Sequence, residues 1–268
     1  MSLPDVSEIL LERQNDVLTI WFNRPEHRNA LSQKVADELL AVFKALPAEK
    51  SIRIVVLRGK GGVFCAGGDL KQLKEIFQGE ASRDDVVRIN AGFGHLITAI
   101  EALPQLLIVA IEGAAMAGGL GLACLADVTF STVDARFALS EVTLGIPPAQ
   151  IAPLVMRRIG ETQARRLLLT AAQFDGAQAK DLGFAHEVFA TVDAMDTALH
   201  ALIAQARRGA PGAIAATKRI IDASKNRTGD DLVQYAAAEF ADCLLGEEAR
   251  EGLAAFAQKR APKWVSEG

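Results

Sequence analysis

Cysteine is scarce in this chain of 268 residues: Cys65, Cys124 and Cys243 are odd in number and far apart. With no Cys-x-x-Cys and no Cys/His ligand spacing, neither a disulfide framework nor a structural zinc site is expected, and no metal is assigned. Unpaired thiols point to a reducing, cytoplasmic setting. No apolar run reaches the ~20 residues of a membrane span. The first residues lack a basic stretch followed by an apolar one, so secretion is not expected. Cations are not in excess either: 29 Lys and Arg stand against 33 Asp and Glu, a net charge of −4. That balance argues against a surface dedicated to nucleic acid or to anionic lipid. The four histidines, His27, His95, His186 and His200, are scattered and read as structural or solvent-facing.

Half of the residues are hydrophobic and 23% are charged, so a large folded core is expected. Residues 6–22 read as a β-hairpin about Gln14-Asn15-Asp16. Leu31, Val35, Leu39, Val42, Phe43 and Leu46 recur at helical spacing, with Ser32 as N-cap and Pro47 as stop. Residues 52–57 are a β-branched strand running into a glycine-rich turn at 58–70, and residues 84–103 form an amphipathic helix that ends at Pro104. The strand–turn–helix succession predicts an α/β fold with parallel strands and right-handed crossovers. Beyond Gln150 the pattern is helical, over 151–159, 163–170, 177–182, 194–207, 213–224 and one long helix at 231–257. A soft boundary near 200 divides residues 1–200, an α/β core holding the site, from 201–268, a helical segment that extends or caps it.

The working stretch is 106–150. Leu106-Leu107-Ile108-Val109-Ala110-Ile111 has the length and branching of a buried strand. Gly113, Gly118, Gly119 and Gly121 follow, with a helix opening near Gly118. Backbone N–H groups left free where a strand turns into a helix suit an oxygen that gains negative charge. This is the second such turn, and two amides converging on one oxygen would make an oxyanion hole. Tight turns and close packing account for single glycines equally well. Neither turn is a Walker loop, since the Lys-Ser/Thr ending is missing. Gly119-Leu120-Gly121-Leu122-Ala123-Cys124 misses the last position of the dinucleotide fingerprint. Glu141 is a lone acid among Phe137, Leu139, Val142 and Leu144. It is either an acid/base in a dry site or an ordinary surface carboxylate.

Three stretches together carry a resemblance: Phe64-Cys65-Ala66-Gly67-Gly68-Asp69-Leu70, Gly113-Ala114-Ala115-Met116-Ala117-Gly118-Gly119, and residues 137–145. They look like the signatures of the crotonase (enoyl-CoA hydratase/isomerase) superfamily, and the match spans nearly the whole chain, including Arg24-Pro25, Arg28-Asn29-Ala30-Leu31 and the tail from Gly252 to Arg260. The resemblance implies a ββα spiral core with a C-terminal helical segment that builds trimers or pairs of trimers. It implies an acyl-CoA thioester as substrate, with coenzyme A entering as part of it and no separate cofactor. By position, Ala66 and Gly118 supply the oxyanion amides and Glu141 the acid/base. Arg28, Ala30, Ala66, Gly67, Gly68, Asp69, Lys71, Phe256 and Lys259 match positions near the CoA arm.

Family members that hydrate pair Glu141 with a second glutamate, whose place here is taken by Gly121. Gln150 and Glu112 are the nearby polar candidates for a helper, while Asp127 reads as structural. The segment 144–160, with Pro-Ala-Gln-Ile-Ala-Pro in its middle, looks most like the isohexenylglutaconyl-CoA hydratase branch. A substrate of that kind carries its own carboxylate, which could position water where Gly121 removes the enzyme's. Three readings stand: a hydratase, an enoyl-CoA double-bond isomerase, and a non-catalytic acyl-CoA-binding protein.

Overall fold

The computed structural model describes residues 3–265 apart from 70–73, 75–77 and 80. Two strands open the chain, β1 (Ile9–Gln14) and β2 (Val17–Phe22), paired antiparallel. Asn15 takes the left-handed backbone of their turn at φ 56°, a conformation that asparagine tolerates better than most residues. Helix α1 (Gln33–Ala45) leads to β3 (Ile54–Gly59), and helix α2 (Arg83–Glu101) to β4 (Leu106–Ile111). Ser32 caps α1 by accepting from the Val35 N–H at 3.2 Å, as its sequence position predicts.

From β4 the chain makes a ββα step: β5 (Ala114–Met116) and then helix α3 (Gly118–Ala123). Strands β6 (Val128–Thr132) and β7 (Arg136–Ala138) repeat the step, followed by a 3₁₀ turn at Glu141–Leu144, α4 (Ala152–Ile159) and α5 (Glu161–Thr170). A last unit holds β8 (Phe174–Asp175), α6 (Gly176–Asp181), β9 (Glu187–Phe189) and α7 (Val192–Ala206). The main sheet runs β1-β2-β3-β4-β6-β9 and is parallel beyond the hairpin; a second, three-stranded sheet runs β5-β7-β8. The chain is thus α/β, as expected, with alternate strands sent to two sheets.

Both faces of the main sheet are covered at its centre, which is why β4 and residues 54–57 of β3 read as unbroken apolar runs. Val55, Leu57, Leu107, Val109 and Ile111 face the larger core with α1 and α2, while Ile54, Val56, Ile108 and Ala110 face Met195, Leu199 and Ile203 of α7. Phe137 stacks on Phe174 at 4.9 Å between ring centroids and meets Phe184 edge-on at 5.2 Å, closing the second sheet.

The boundary expected near 200 falls inside α7, a helix that the sheet itself buries. The helical extension therefore starts at α8 (Pro211–Ala223) and continues through α9 (Gly229–Leu245) and α10 (Glu247–Ala257). The single long helix expected over 231–257 is two helices, because Gly246 leaves the helix at φ −74°, ψ 169°. The extension is tied to its own sheet. Arg53 donates to the Trp264 and Gly209 carbonyls, each at 2.6 Å. Lys218 bridges the Asp127 carboxylate at 2.5 Å and the Gln105 carbonyl at 2.8 Å. Asp127 also accepts from the Leu107 N–H at 2.7 Å, so its role is structural.

Candidate functional site

The first glycine turn is fastened on three sides. The Phe64 and Cys65 N–H groups donate to the Glu112 and Ala114 carbonyls at 3.0 and 2.9 Å, and the Met116 N–H returns to the Cys65 carbonyl at 2.9 Å. These bonds make Cys65–Ala115 a one-residue parallel bridge between the two glycine turns. On the other side, the Leu31 N–H donates to the Gly67 carbonyl at 2.8 Å and the Asp69 N–H to the Leu31 carbonyl at 3.1 Å. Asn29, 1% exposed, accepts from the Arg24 N–H and donates to the Lys60 and Val63 carbonyls, locking the preceding loop in register.

That fastening decides which amide is available. The Ala66 N–H donates to the Arg28 carbonyl at 3.0 Å, and the Gly67 N–H points to the Cys65 sulfur at 3.4 Å. The Gly68 N–H is the next along, and it makes no hydrogen bond among the described residues. The expectation that Ala66 supplies an oxyanion amide is therefore corrected: Ala66 lines the cavity, but its donor is occupied, and Gly68 holds the open one.

The second turn supplies its partner. Ala117 sits at φ 48°, ψ −122° and donates its N–H to the Ala138 carbonyl at 2.8 Å, while its own carbonyl accepts from the Gly121 N–H at 3.0 Å. Gly118 is the first residue of α3, so its N–H has no partner within the helix. The turns touch: a Cβ on Gly67 would lie 2.9 Å from Ala117 Cβ, and one on Gly119 would lie 2.6 Å from Cys65 Cβ.

Gly68, Gly118 and Glu141 all line one cavity of about 420 Å³, within the size range of small-molecule sites. Its walls are mostly apolar, from Leu31, Phe93, Leu144, Ile146, Pro147 and Ile151. Glu141 is half-buried, and its Oε2 is enclosed with no hydrogen-bond partner among the described residues. Burial pushes its carboxyl above the ordinary value, with its own backbone N–H pulling weakly the other way. Asp69, the other carboxyl lining the cavity, lies 3.4 Å from the Arg24 guanidinium. Cys65 is not a nucleophile: burial holds its thiol up at about 12, so no thiolate forms at neutral pH.

The remaining expected residues divide. Gln150 lines the cavity and donates to Asn90 Oδ1 of α2 at 2.8 Å. Glu112 lies away from it, 3.7 Å from Arg58. Arg28, Ala30 and Gly67 back the turns without lining the cavity, and Arg28 is exposed. Phe256, 86% exposed, and Lys259 stand on the surface of α10 and beyond it, outside this cavity. Lys71 lies outside the described residues. Residues that sequence reasoning did not single out are Asn90, Phe93 and Ile151. Each is brought in by packing between elements far apart in the chain. A second cavity of about 250 Å³, beside Arg53, Gln105 and Pro211, is remote from these turns. Among the described residues no His, Cys, Asp and Glu cluster could hold a metal ion, and no helix is long and apolar enough to cross a membrane.

Comparison with known proteins identifies the family. Residues 12–267 match the family model described as enoyl-CoA hydratase/isomerase. The structure of Pseudomonas aeruginosa AtuE superposes with a TM-score of 0.94 at 46% identity, over 97% of this chain and all of that one. A putative enoyl-CoA hydratase of Thermus thermophilus is 31% identical across 92% of this chain and 97% of its own length. The 2,3-dehydroadipyl-CoA hydratase of Escherichia coli is 31% identical across 96% and 98%. The chain belongs to the enoyl-CoA hydratase/isomerase family.

Proposed function

We propose that this enzyme adds water across the double bond of an α,β-unsaturated acyl-CoA, with Glu141 as its single acid/base. The observation that carries the reading is the state of Glu141: a carboxyl in an apolar cavity, with one buried oxygen that no described residue satisfies. The Gly68 and Gly118 amides hold the thioester oxygen as it becomes an enolate oxygen. Fixed dipoles of this kind lower the barrier most when water is excluded. Glu141 takes a proton from water as the water oxygen bonds to C3, then returns that proton to C2 as the enolate collapses. The sum is one water added and Glu141 restored. A carboxyl whose affinity for protons is raised serves both halves better than an ordinary one.

The cavity has room for an acyl group and the inner end of its thioester arm. The nucleotide end of coenzyme A is then held outside it, toward Arg28 and Ala30, with Phe256 and Lys259 reaching in from a neighbouring copy of the chain. Coenzyme A is part of the substrate, and no separate cofactor takes part. Three free thiols fit a cytoplasmic enzyme. The acyl group we favour is a branched glutaconyl one, whose own carboxylate orders the attacking water. In support, one relative at 31% identity is named for 2,3-dehydroadipyl-CoA, whose acyl chain ends in a carboxylate.

A second reading has its own observation. With Gly121 in place of the second glutamate of hydrating relatives, Glu141 lacks that partner, and one carboxyl suffices to move a proton between two carbons of an isomerising enoyl-CoA. The test is absorbance of an enoyl-CoA panel followed by mass analysis. Gain of one water supports hydration. An unchanged mass with a shifted double bond makes the enzyme an isomerase, and no turnover with tight CoA-ester binding leaves a binding protein.

A further inference from the structure

Gly121 does more than lack a carboxylate: the space its side chain would need is already filled. A Cβ at 121 would lie 2.8 Å from Ile151 Cβ, with Cγ2 of the same side chain closer still. Neither backbone can retreat. The Gly121 N–H is bonded to the Ala117 carbonyl at 3.0 Å and its carbonyl accepts from Cys124 at 3.2 Å. Ile151 precedes α4, and its carbonyl accepts from the Val155 N–H at 3.0 Å while the adjacent Ala152 N–H holds the Pro148 carbonyl at 2.9 Å. Ile151 is 3% exposed and lines the cavity, so its side chain is both a plug over α3 and a wall of the site. Gly121, under that plug, stands on the same short helix that begins with Gly118, one turn from that amide.

We propose that Ile151 is the specificity-determining residue of the acyl site, setting how bulky a substituent the acyl group carries at C3. The proposal rests on the acyl-CoA reading above. The contact also accounts for the absent second acid: with Ile151 in place, no side chain fits at 121. Evolution or mutagenesis must change both positions together to restore one.

The test compares wild type, Ile151→Val and Ile151→Ala on 2-enoyl-CoA esters that are unbranched or carry methyl and larger groups at C3. The ratio of kcat/KM for branched over unbranched esters is expected to rise about tenfold or more in Ile151→Ala, with Val between, because a methylene in an apolar pocket is worth about that much discrimination. An unchanged ratio in folded variants overturns the proposal. Calorimetric binding of the matching saturated acyl-CoA esters is measured alongside. If wild type turns over no ester but the binding ratio still shifts, the hydratase reading falls and the assignment of Ile151 stands.

A mutant cycle checks the interlock without activity. Gly121→Ala should lower Tm although alanine is the better helix former, and it should cost less in an Ile151→Ala background than in the wild-type chain. Stability at or above wild type for Gly121→Ala, or strict additivity in the double variant, overturns the interlock.

Discussion

The Ala66 N–H and the Arg28 carbonyl are joined at 3.0 Å, and with the Gly67 N–H turned to the Cys65 sulfur the open donor of the first turn, among the described residues, lies two residues along, at Gly68. Replacing the amide of residue 68 by an ester, through a hydroxy-acid analogue, removes that donor and leaves the side chains alone. The expected loss in kcat is about 10²–10³-fold, the usual cost of one oxyanion donor. The same change at residue 66 should lower stability by about 1 kcal/mol, one hydrogen bond, and affect kcat far less. The reverse pattern would return the role to Ala66.

Glu141→Gln keeps the shape and removes the acid/base. A kcat lower by about 10²–10⁴-fold is expected, with binding of the saturated CoA ester retained. In wild type, kcat/KM should fall as pH drops through a value above the ordinary carboxylate range, since the free enzyme must be ionised to accept the water's proton. A profile flat down to the ordinary carboxylate range would remove Glu141 as the base.

The same shift fixes a stability trend. The folded chain holds the Glu141 proton more tightly than the unfolded chain, so the protonated form favours folding. That contribution is full below the unfolded value and is lost as pH rises through the higher folded one. Relative to Glu141→Gln, wild type should therefore be closest in Tm near pH 4 and lag at neutral pH. The lag should be about 1 kcal/mol or less, because solvent screens a half-exposed carboxyl. A gap that narrows as pH rises would contradict the buried, unsatisfied state of Oε2.

Much of this was legible in the sequence, for definite reasons. β4 reads directly because six successive apolar residues serve two buried faces, and α1 because its apolar stripe and Ser32 cap agree. β5, β7 and β8 do not read, since strands of two or three residues exist only through partners far along the chain. The glycine motif locates the first turn, but which amide opens into the cavity depends on the carbonyls of Arg28 and Leu31. Gly121 announces a missing acid. That Ile151 occupies its place is a tertiary contact with no local signature. Gly246 could have divided the C-terminal helix in advance, since glycine is the poorest helix former after proline.

Ala117 holds a backbone conformation, φ 48° and ψ −122°, that only glycine adopts without strain. It is kept there by two bonds, to the Ala138 carbonyl and from the Gly121 N–H, which together aim the next amide, Gly118, into the cavity. Such strain costs about 1–3 kcal/mol, against ~1 kcal/mol or less of extra unfolded-state entropy for glycine. Ala117→Gly should thus stabilise the fold by about 1 kcal/mol, raising Tm roughly 2–4 °C. A lower Tm would mean that the methyl's packing against Gly67 outweighs the strain.

The C-terminal helices predict assembly. α9 has no buried residue along its 17 positions, yet Val233, Phe240 and Leu244, spaced to fall on one helical face, are 59%, 65% and 49% exposed. Its other side is occupied: Glu239 pairs with Arg219 of α8 at 2.6 Å. Ile221 of α8 and Leu253 and Phe256 of α10 add to the exposed apolar surface, at 61%, 65% and 86%. Apolar area on this scale marks a surface that another molecule covers. A further copy of the same chain is the occupant we infer, giving the trimer or pair of trimers expected of the family. Sedimentation should show a species of three or six chains. Phe240→Lys with Leu244→Lys, placing two charges in the stripe, should dissociate it to folded monomers with unchanged far-ultraviolet circular dichroism. If Phe256 and Lys259 of one copy serve the CoA arm of another, those monomers should also show a raised KM with a smaller change in kcat. Wild-type chain that sediments as a monomer at micromolar concentration would overturn the assembly and the shared site together.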